Sequence, residues 1–329
     1  MLRVGVVRGG PSNEYEVSLA SGASVISAIQ EKFQDKYKPI DILITRDGKW
    51  HIGGIEVEPQ NIRDKVDVVW NALHGAYGED GTLPNMLESI GIPYTGSGQF
   101  GSNIGMNKML SKDFARKSEI KTPREYIVED IRKGNSDLAR DVYLKEQVQN
   151  IFLKLSPPWV VKPLSGGSSI GVSIVKTQSE LLDALTKLSE YEGDIIVEEY
   201  LFGKEATVSV LENYRDQEHY AFLPIEIRVP QNRFFDYEMK YSGQAEEVSP
   251  GNFSQIEKAL LMEYARKIHK AIGLRHYSRS DFIVTPRGVY FLEVNTHPGL
   301  TNQSLLPKAL PPIGMEFHDF VDHVLTLAI

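Results

Sequence analysis

Short β-branched runs separated by longer amphipathic stretches set the rhythm of the first hundred residues. Apolar positions cluster at Arg3 to Val7, Ile40 to Thr45, Val66 to Trp70 and Ile92 to Tyr94, and such runs alternating with helical stretches predict a parallel α/β sheet. Between the first two runs Leu19, Ala23, Ile26, Ile29 and Phe33 recur at helical spacing and mark one apolar face. Asn13 with Glu16 three residues on is the pattern of a helix N-terminal cap. A second unit begins near Ser102, where Met106-Asn107-Lys108 opens a polar helix that Lys121-Thr122-Pro123 ends, and Pro157-Pro158 precedes the strand Trp159-Val160-Val161-Lys162. From Glu198 a third unit shows longer strands, a polar loop from Gln231 to Gly251, and a helix with Leu261, Ala265, Ile268 and Ile272 on one face. The expected units are 1–101, 102–197 and 198–329.

Composition narrows the function classes. A chain of 329 residues, 41% hydrophobic and 24% charged, has the make-up of a globular protein with two or three cores. No stretch reaches the roughly 20 apolar residues of a membrane-spanning helix, and the opening Met1 to Val7 reads as a buried strand rather than a signal peptide. With no cysteine, disulfides, thiolate metal sites and cysteine nucleophiles are excluded, and a reducing compartment, the cytoplasm, is expected. A net charge of −8 opposes attraction to a nucleic-acid backbone, whereas a local basic site for a small phosphate ligand stays open.

The candidate chemistry lies at strand ends. Gly9-Gly10-Pro11-Ser12-Asn13-Glu14 joins the first strand to the first helix, the place where open α/β sheets bind ligands, without the dinucleotide fingerprint G-x-G-x-x-G. Glu14 has two readings: an acidic residue in a helix's first turn, or a carboxylate holding a substrate ammonium. His74-Gly75-Ala76-Tyr77-Gly78-Glu79-Asp80-Gly81 follows another strand, and its glycines fit a backbone that approaches something closely. Taken singly, His74 also fits a hydrogen-bonded structural histidine, and Glu79-Asp80-Gly81 a turn and helix cap.

Three later constellations follow. Lys162 leads from a strand into Pro163-Leu164-Ser165-Gly166-Gly167-Ser168-Ser169-Ile170-Gly171, whose N–H groups and hydroxyls suit phosphates; there is no Walker A pattern, and the alternative is a flexible hairpin. Glu198-Glu199-Tyr200-Leu201 and Glu205 set apolar walls and acidic edges at a strand end, as adenine and ribose require, or form a solvated terminus. Arg279-Ser280-Asp281 and Glu293-Val294-Asn295 place Arg279 and Asp281 on one strand face and Glu293 and Asn295 on another. Paired as a hairpin, their oxygens converge as hard ligands for Mg²⁺ on nucleotide phosphates, with Arg279 beside a transferred phosphoryl group. The alternative is a cross-strand salt bridge.

At these residues the chain resembles the D-alanine–D-alanine ligases of the ATP-grasp superfamily, from the first strand to about Pro307. The glycine pair with Ser12, Glu14, Glu16 and Val17-Ser18, the His74 to Gly81 block, Ile92-Pro93-Tyr94-Thr95-Gly96, and Asn295-Thr296-His297-Pro298-Gly299 match in order. The resemblance implies a three-domain α/β ATP-grasp architecture with an N-terminal parallel domain, and ATP held between the central and C-terminal domains. It puts Lys108, Lys162 and Ser168 on the phosphates, Glu198, Tyr200 and Leu201 near adenine, and Glu205 at the ribose. Two Mg²⁺ ions, with Mn²⁺ as a substitute, fall to Asp281, Glu293 and Asn295. Glu14 holds the first D-alanine's ammonium, with His74 and Lys240 at the substrate and Ser304 on the second carboxylate. Arg279 and the Gly299 N–H face the developing oxyanion, and Ser168 and Tyr241 join Glu14 in a closure network beneath a lid. A homodimer is implied.

Against the commonest family pattern, Arg8 replaces an apolar strand residue, Asn107 stands where aspartate often precedes the lysine, Ser249-Pro250-Gly251 follows the lid, and His297 and Asn302 border the substrate segment. Tyrosine rather than histidine at 241 points away from a D-lactate ligase; no residue excludes D-serine as second substrate. A nucleotide-binding protein without catalysis has no chemical need for Arg279, Asp281, Glu293 and Asn295 together.

Overall fold

A computed structural model describes residues 1–130, 137–167, 171–191, 193–228 and 246–329. The expected β-branched runs form β1 (Leu2–Gly9), β2 (Tyr37–Ile44) and β5 (Val68–Asn71), with β1 parallel to both neighbours. The fourth run adds only a bridge from Tyr94 to Val69. The sheet is nevertheless mixed, ordered β4-β3-β2-β1-β5, because β3 (Trp50–Ile52) and β4 (Ile55–Val57) add an antiparallel hairpin. Gly53 and Gly54, both at positive φ, make the two-residue turn that such a hairpin favours.

Helix α1 (Tyr15–Lys32) departs from its expected face. It buries Ser18, Ser21, Gly22, Val25, Ala28 and Ile29 and leaves Ala23 exposed. Small residues face the sheet because the helix lies close on it: a Cβ on Gly22 would fall 2.7 Å from Arg8 Cβ, and the Ser18 hydroxyl donates to Ala72 O while accepting from Gly9 N. The expected Asn13 cap is not made. Glu14 occupies the N-cap position without a capping bond, and the Glu14 N–H donates instead to Ser12 Oγ. After β5 come α2 (Thr82–Ser89), α3 (Gln99–Met106) and α4 (Lys108–Lys117).

The central sheet holds β6 (Glu125–Val128), β7 (Trp159–Pro163), β8 (Ser173–Val175) and β9 (Ile195–Glu199), antiparallel in the order β6-β9-β7-β8. It packs under α5 (Asp137–Lys154) and α6 (Gln178–Leu188) around Trp159, Val161, Leu181, Leu185 and Val197. Helices α3 and α4, which the sequence groups with this unit, instead pack on the third sheet: Ile104, Ala115 and Ile120 share a core with Leu261, Phe282 and Phe291.

The third sheet runs β13-β12-β10-β14-β15, with β11 on the far end of β10. Its strands are β10 (Lys204–Tyr214), β11 (Gln217–Ala221), β12 (Ile225–Arg228), β13 (Glu246–Val248), β14 (Tyr277–Thr285) and β15 (Gly288–Asn295). Part of the expected loop from Gln231 to Gly251 is thus strand, since Glu246–Val248 pairs with β12. Helix α7 (Gln255–Ile272) presents the expected face, burying Leu261, Ala265, Ile268 and Ile272. A Ser254–Glu257 capping box starts it and left-handed Gly273 stops it.

After α8 (Leu305–Ala309), α9 (Phe317–Ala328) returns to the first unit. Phe320, Val321, Val324 and Leu325 share one core with Val4, Val25, Ile29 and Trp70, and Asp322 accepts from the Tyr37 hydroxyl at 2.6 Å. No helix among the described residues is long and apolar enough to cross a membrane.

Candidate functional site

The β14–β15 hairpin sets Arg279 opposite Asn295 and Asp281 opposite Glu293, with an irregularity between Asp281 and Phe282. The ion pair runs along one strand rather than across two. Arg279, buried, donates through Nε and Nη2 to the Asp281 oxygens at 3.0 and 2.9 Å. Burial opposes its charge, but the attraction and hydrogen bonds of Asp281 outweigh that and hold the guanidinium above its usual range. Thr207 from β10 donates to Asp281 Oδ1 at 2.6 Å and Asn295 Nδ2 to Oδ2 at 3.1 Å.

Two carboxylates and an amide on facing strands form a hard oxygen set that fits Mg²⁺. All four acceptor positions of Asp281 are filled by protein donors, so an ion bound there replaces one of them. Asn295, whose amide turns to present its oxygen, and Thr207, through its hydroxyl, are the donors with an oxygen to offer.

Basic groups line the same cavity from the central sheet and α4. Lys108 Nζ donates to Gly166 O at 2.6 Å and lies 3.7 Å from Glu293 Oε2. Asn107 caps α4 by accepting from Met109 N and Leu110 N, a task aspartate performs equally, so this departure keeps Lys108 in place. Lys162, buried on β7, lies 3.0 Å from Glu198 Oε2. Burial, with Lys108 nearby, lowers its pKa to about 8.

Sequence reading missed two charged residues packed behind this group, Lys112 and Glu125. Lys112, one turn beyond Lys108 on α4, is fully buried against Glu198 and 3.3 Å from Glu125. Burial and the neighbouring Lys162 push its pKa well down. The repeat of lysine at i and i+4 was the available signal, since such residues share a helix face.

A pH dependence follows. Below about pH 8 the free protein carries the full cost of a buried charged Lys162, and Lys162's contribution to stability rises as pH increases from there towards the ordinary lysine value. Polyphosphate favours the charged form, so binding ATP is expected to take up about half a proton near pH 8 and close to one about a pH unit higher. Calorimetric titration in buffers of different ionisation heats reads this directly; heats independent of buffer would show that Lys162 is already charged.

Two adjoining cavities meet at Glu14, Gly167, Arg279 and Leu305. The larger is lined by Lys108, Lys162, Glu198, Tyr200, Leu201, Glu205, Asp281 and Glu293. The smaller is lined by His74, Glu79, Asn295, His297, Gly299 and Ser304. Thus, of the described residues, those expected at the nucleotide line the larger cavity and those expected at the substrate line the smaller, with Glu14 in both. The Glu14 carboxylate lies where only glycine fits: a Cβ on Gly75, at φ +71, would come 2.9 Å from Oε2.

His74 is buried. Its Nε2 meets Ser21 Oγ at 2.8 Å, its Nδ1 meets His297 O at 3.0 Å, and Glu79 Oε1 lies 3.4 Å away. Burial lowers its pKa, yet the Glu79 hydrogen bond and the charges of Glu79 and Glu14 leave it raised. His74 therefore ties the His297 to Gly299 segment to α1 while lining the smaller cavity. Asp80 makes the expected turn, accepting from Tyr77 N and Thr82 N, but the N-cap position of α2 is Gly81 and carries no side-chain capping bond; Glu79 faces inward. Ser304 Oγ accepts from Thr301 N and lies 2.8 Å from Thr301 Oγ1.

The other unusual residues have local partners. Arg8 pairs with Asp41 at 2.5 Å. His297 is buried against Gly96, where a Cβ would fall 2.2 Å from Nε2, and burial, with His74 nearby, lowers its pKa to about 3. Ser249 donates to Lys308 O, and Asn302 is exposed. Ser168, Lys240 and Tyr241 lie outside the described residues.

Comparison with known proteins gives matches over nearly the whole chain. A family model described as D-ala D-ala ligase C-terminus matches residues 129–326, and one described as D-ala D-ala ligase N-terminus matches 3–64 and 54–97. The chain is 40% identical over 331 aligned positions to a D-alanine–D-alanine ligase of Geobacter sulfurreducens, covering 99% of this chain and 94% of that one. It is 39% identical to the corresponding ligase of Geotalea uraniireducens, covering 99% and 95%. Among solved structures, the VanG D-Ala:D-Ser ligase from Enterococcus faecalis superimposes with a TM-score of 0.83 at 31% identity, covering 100% and 99%. A D-alanine–D-alanine ligase from Bacillus anthracis complexed with ATP gives 0.77 at 29%, covering 100% and 97%.

Proposed function

We infer that this chain, which belongs to the D-alanine–D-alanine ligase family, is an ATP-dependent ligase that joins two D-alanines into D-alanyl-D-alanine for peptidoglycan synthesis. The observation that carries the site assignment is the shared wall of the two cavities, where Glu14 and Arg279 face both the nucleotide and the amino-acid side. ATP lies between the central and third sheets, its phosphates near Lys108 and Lys162, its adenine by Glu198, Tyr200 and Leu201, its ribose by Glu205. Asp281, Glu293 and Asn295 would hold two Mg²⁺ ions, whose charge would offset that of the phosphates.

Glu14 holds the ammonium of the first D-alanine, so that its carboxylate oxygen reaches the γ-phosphorus. That oxygen forms a P–O bond as the bond to ADP breaks, giving an acyl phosphate. The second D-alanine, its carboxylate at Ser304, then attacks the carbonyl carbon through its deprotonated amine, and phosphate leaves. Arg279 and the Gly299 N–H stabilise the oxyanion of that step, usually the largest electrostatic contribution to acyl transfer. Ser168, Lys240 and Tyr241 complete the closure over the acyl phosphate and exclude water.

The three units act as an N-terminal substrate domain and two ATP-grasp domains, and the protein works in the cytoplasm as a homodimer, which light scattering at assay concentration tests. Phosphate release from ATP across D- and L-amino acids and D-lactate tests the reaction. D-Alanine alone is expected to drive turnover; a requirement for D-serine or D-lactate would reassign the second substrate, and no release with any of them would remove the catalytic reading.

Glu14→Gln is expected to raise KM for the first D-alanine about ten- to a hundredfold with little change for ATP. A hydrogen bond between charged groups contributes roughly 1.5–3 kcal/mol. Equal changes for both substrates would take Glu14 off the ammonium.

A further inference from the structure

Five residues beyond Thr207 on β10, about 17 Å away at ~3.3 Å per residue, Glu212 stands directly opposite His219 of β11. Helix α7 lies over this pair and brings His269 onto it. Three donor atoms converge: His269 Nε2 is 3.4 Å and His219 Nε2 3.9 Å from the same oxygen, Glu212 Oε1, and the ligand atoms all lie within 4.8 Å of one another. In a tetrahedral zinc site with bonds of ~2.0–2.1 Å, adjacent ligand atoms sit about 3.4 Å apart.

We propose that Glu212, His219 and His269 form a binding site for a divalent transition metal of the zinc class, separate from the nucleotide site. The remaining atoms of the three side chains are already engaged in the way metal ligands require. His269 Nδ1 meets Ser278 Oγ at 2.8 Å, leaving Nε2 to face inward. His219 Nδ1 faces the Glu218 carboxylate at 3.7 Å, the outer partner that orients many metal-bound imidazoles. Glu212 Oε2 accepts from His276 N at 2.6 Å, and Oε1, hydrogen-bonded to His269 Nε2 at 3.4 Å, exchanges that bond for the ion.

Two imidazoles and one carboxylate suit Zn²⁺ over Mg²⁺, which takes oxygen ligands. Glu212 and His219 are only half-buried, so a water can reach the fourth position. The ion would pin α7 to the β10–β11 hairpin.

The test uses the full chain stripped of metal and then held in excess Mg²⁺, so that the nucleotide site is occupied. Titration with Zn²⁺ is expected to show one equivalent of saturable binding and a rise in unfolding temperature. Co²⁺ in its place is expected to give the visible absorption of a four-coordinate ion. His219→Gln, on the half-buried side, is expected to keep ligase activity, weaken Zn²⁺ at least ~10-fold and lose the Co²⁺ band. His269→Gln is expected to do the same. Equal Zn²⁺ affinity in the parent and a folded, active His219→Gln would overturn the site, as would absence of saturable binding in the parent.

Discussion

Glu293→Gln is expected to lower kcat for ligation at least ~100-fold while the protein unfolds at an unchanged denaturant midpoint. The carboxylate faces the cavity opposite Asp281, 3.7 Å from Lys108 Nζ, and glutamine keeps its size and one oxygen while removing its charge. A metal clamp on phosphoryl oxygens contributes several kcal/mol to the transition state, and ~2.7 kcal/mol corresponds to the hundredfold. Steady-state rates at saturating Mg²⁺, beside a urea melt, make the check. Near-parental turnover would place the necessary negative charge elsewhere.

Arg279→Met is expected to fail differently, losing both turnover and stability. Arg279 is the bidentate partner of a buried Asp281, and methionine leaves that carboxylate with only the Thr207 and Asn295 donors. Removing one partner of a buried ion pair costs about 3–5 kcal/mol, visible as a lower urea midpoint. Adding Asp281→Leu to Arg279→Met removes the stranded charge and is expected to recover much of that stability with no recovery of ligation. A double variant as unstable as the single one would mean that the arginine contributes by packing rather than by pairing.

The contrast between these two substitutions reflects what the sequence made legible. Alternation along 279–281 and 293–295 placed four polar side chains on facing strands, because the strand period of two leaves little choice once the hairpin is assumed. Helix α7 was equally readable, since its apolar stripe meets a flat sheet. Helix α1 was not: close approach to β1 selects Ser18, Ser21 and Gly22 for the contact, and no hydrophobic period marks serine and glycine as buried. The β3–β4 hairpin was short enough to escape a search for long runs, although Gly53-Gly54 marks its turn. Lys112 and Glu125 were missed because a lysine on a polar helix reads as solvated until the fold turns that side inward. Which partner each buried charge meets depends on contacts far apart in sequence, as in the Lys112 to Glu198 pair.

The return of α9 to the first unit has a consequence for biosynthesis. Phe320, Val321, Val324 and Leu325 complete the core that Val4, Val25, Ile29 and Trp70 begin, so the earlier-made segment keeps an open apolar flank until some three hundred further residues have been added. The usual order, in which N-terminal domains fold first as the chain emerges, is only half open to this unit: the face packed around Ile42, Val69, Leu83 and Leu87 has a core of its own, as the central sheet has, whereas the α1 side waits for α9. A nascent chain stalled before residue 317 is therefore a natural client for a chaperone that covers apolar surface.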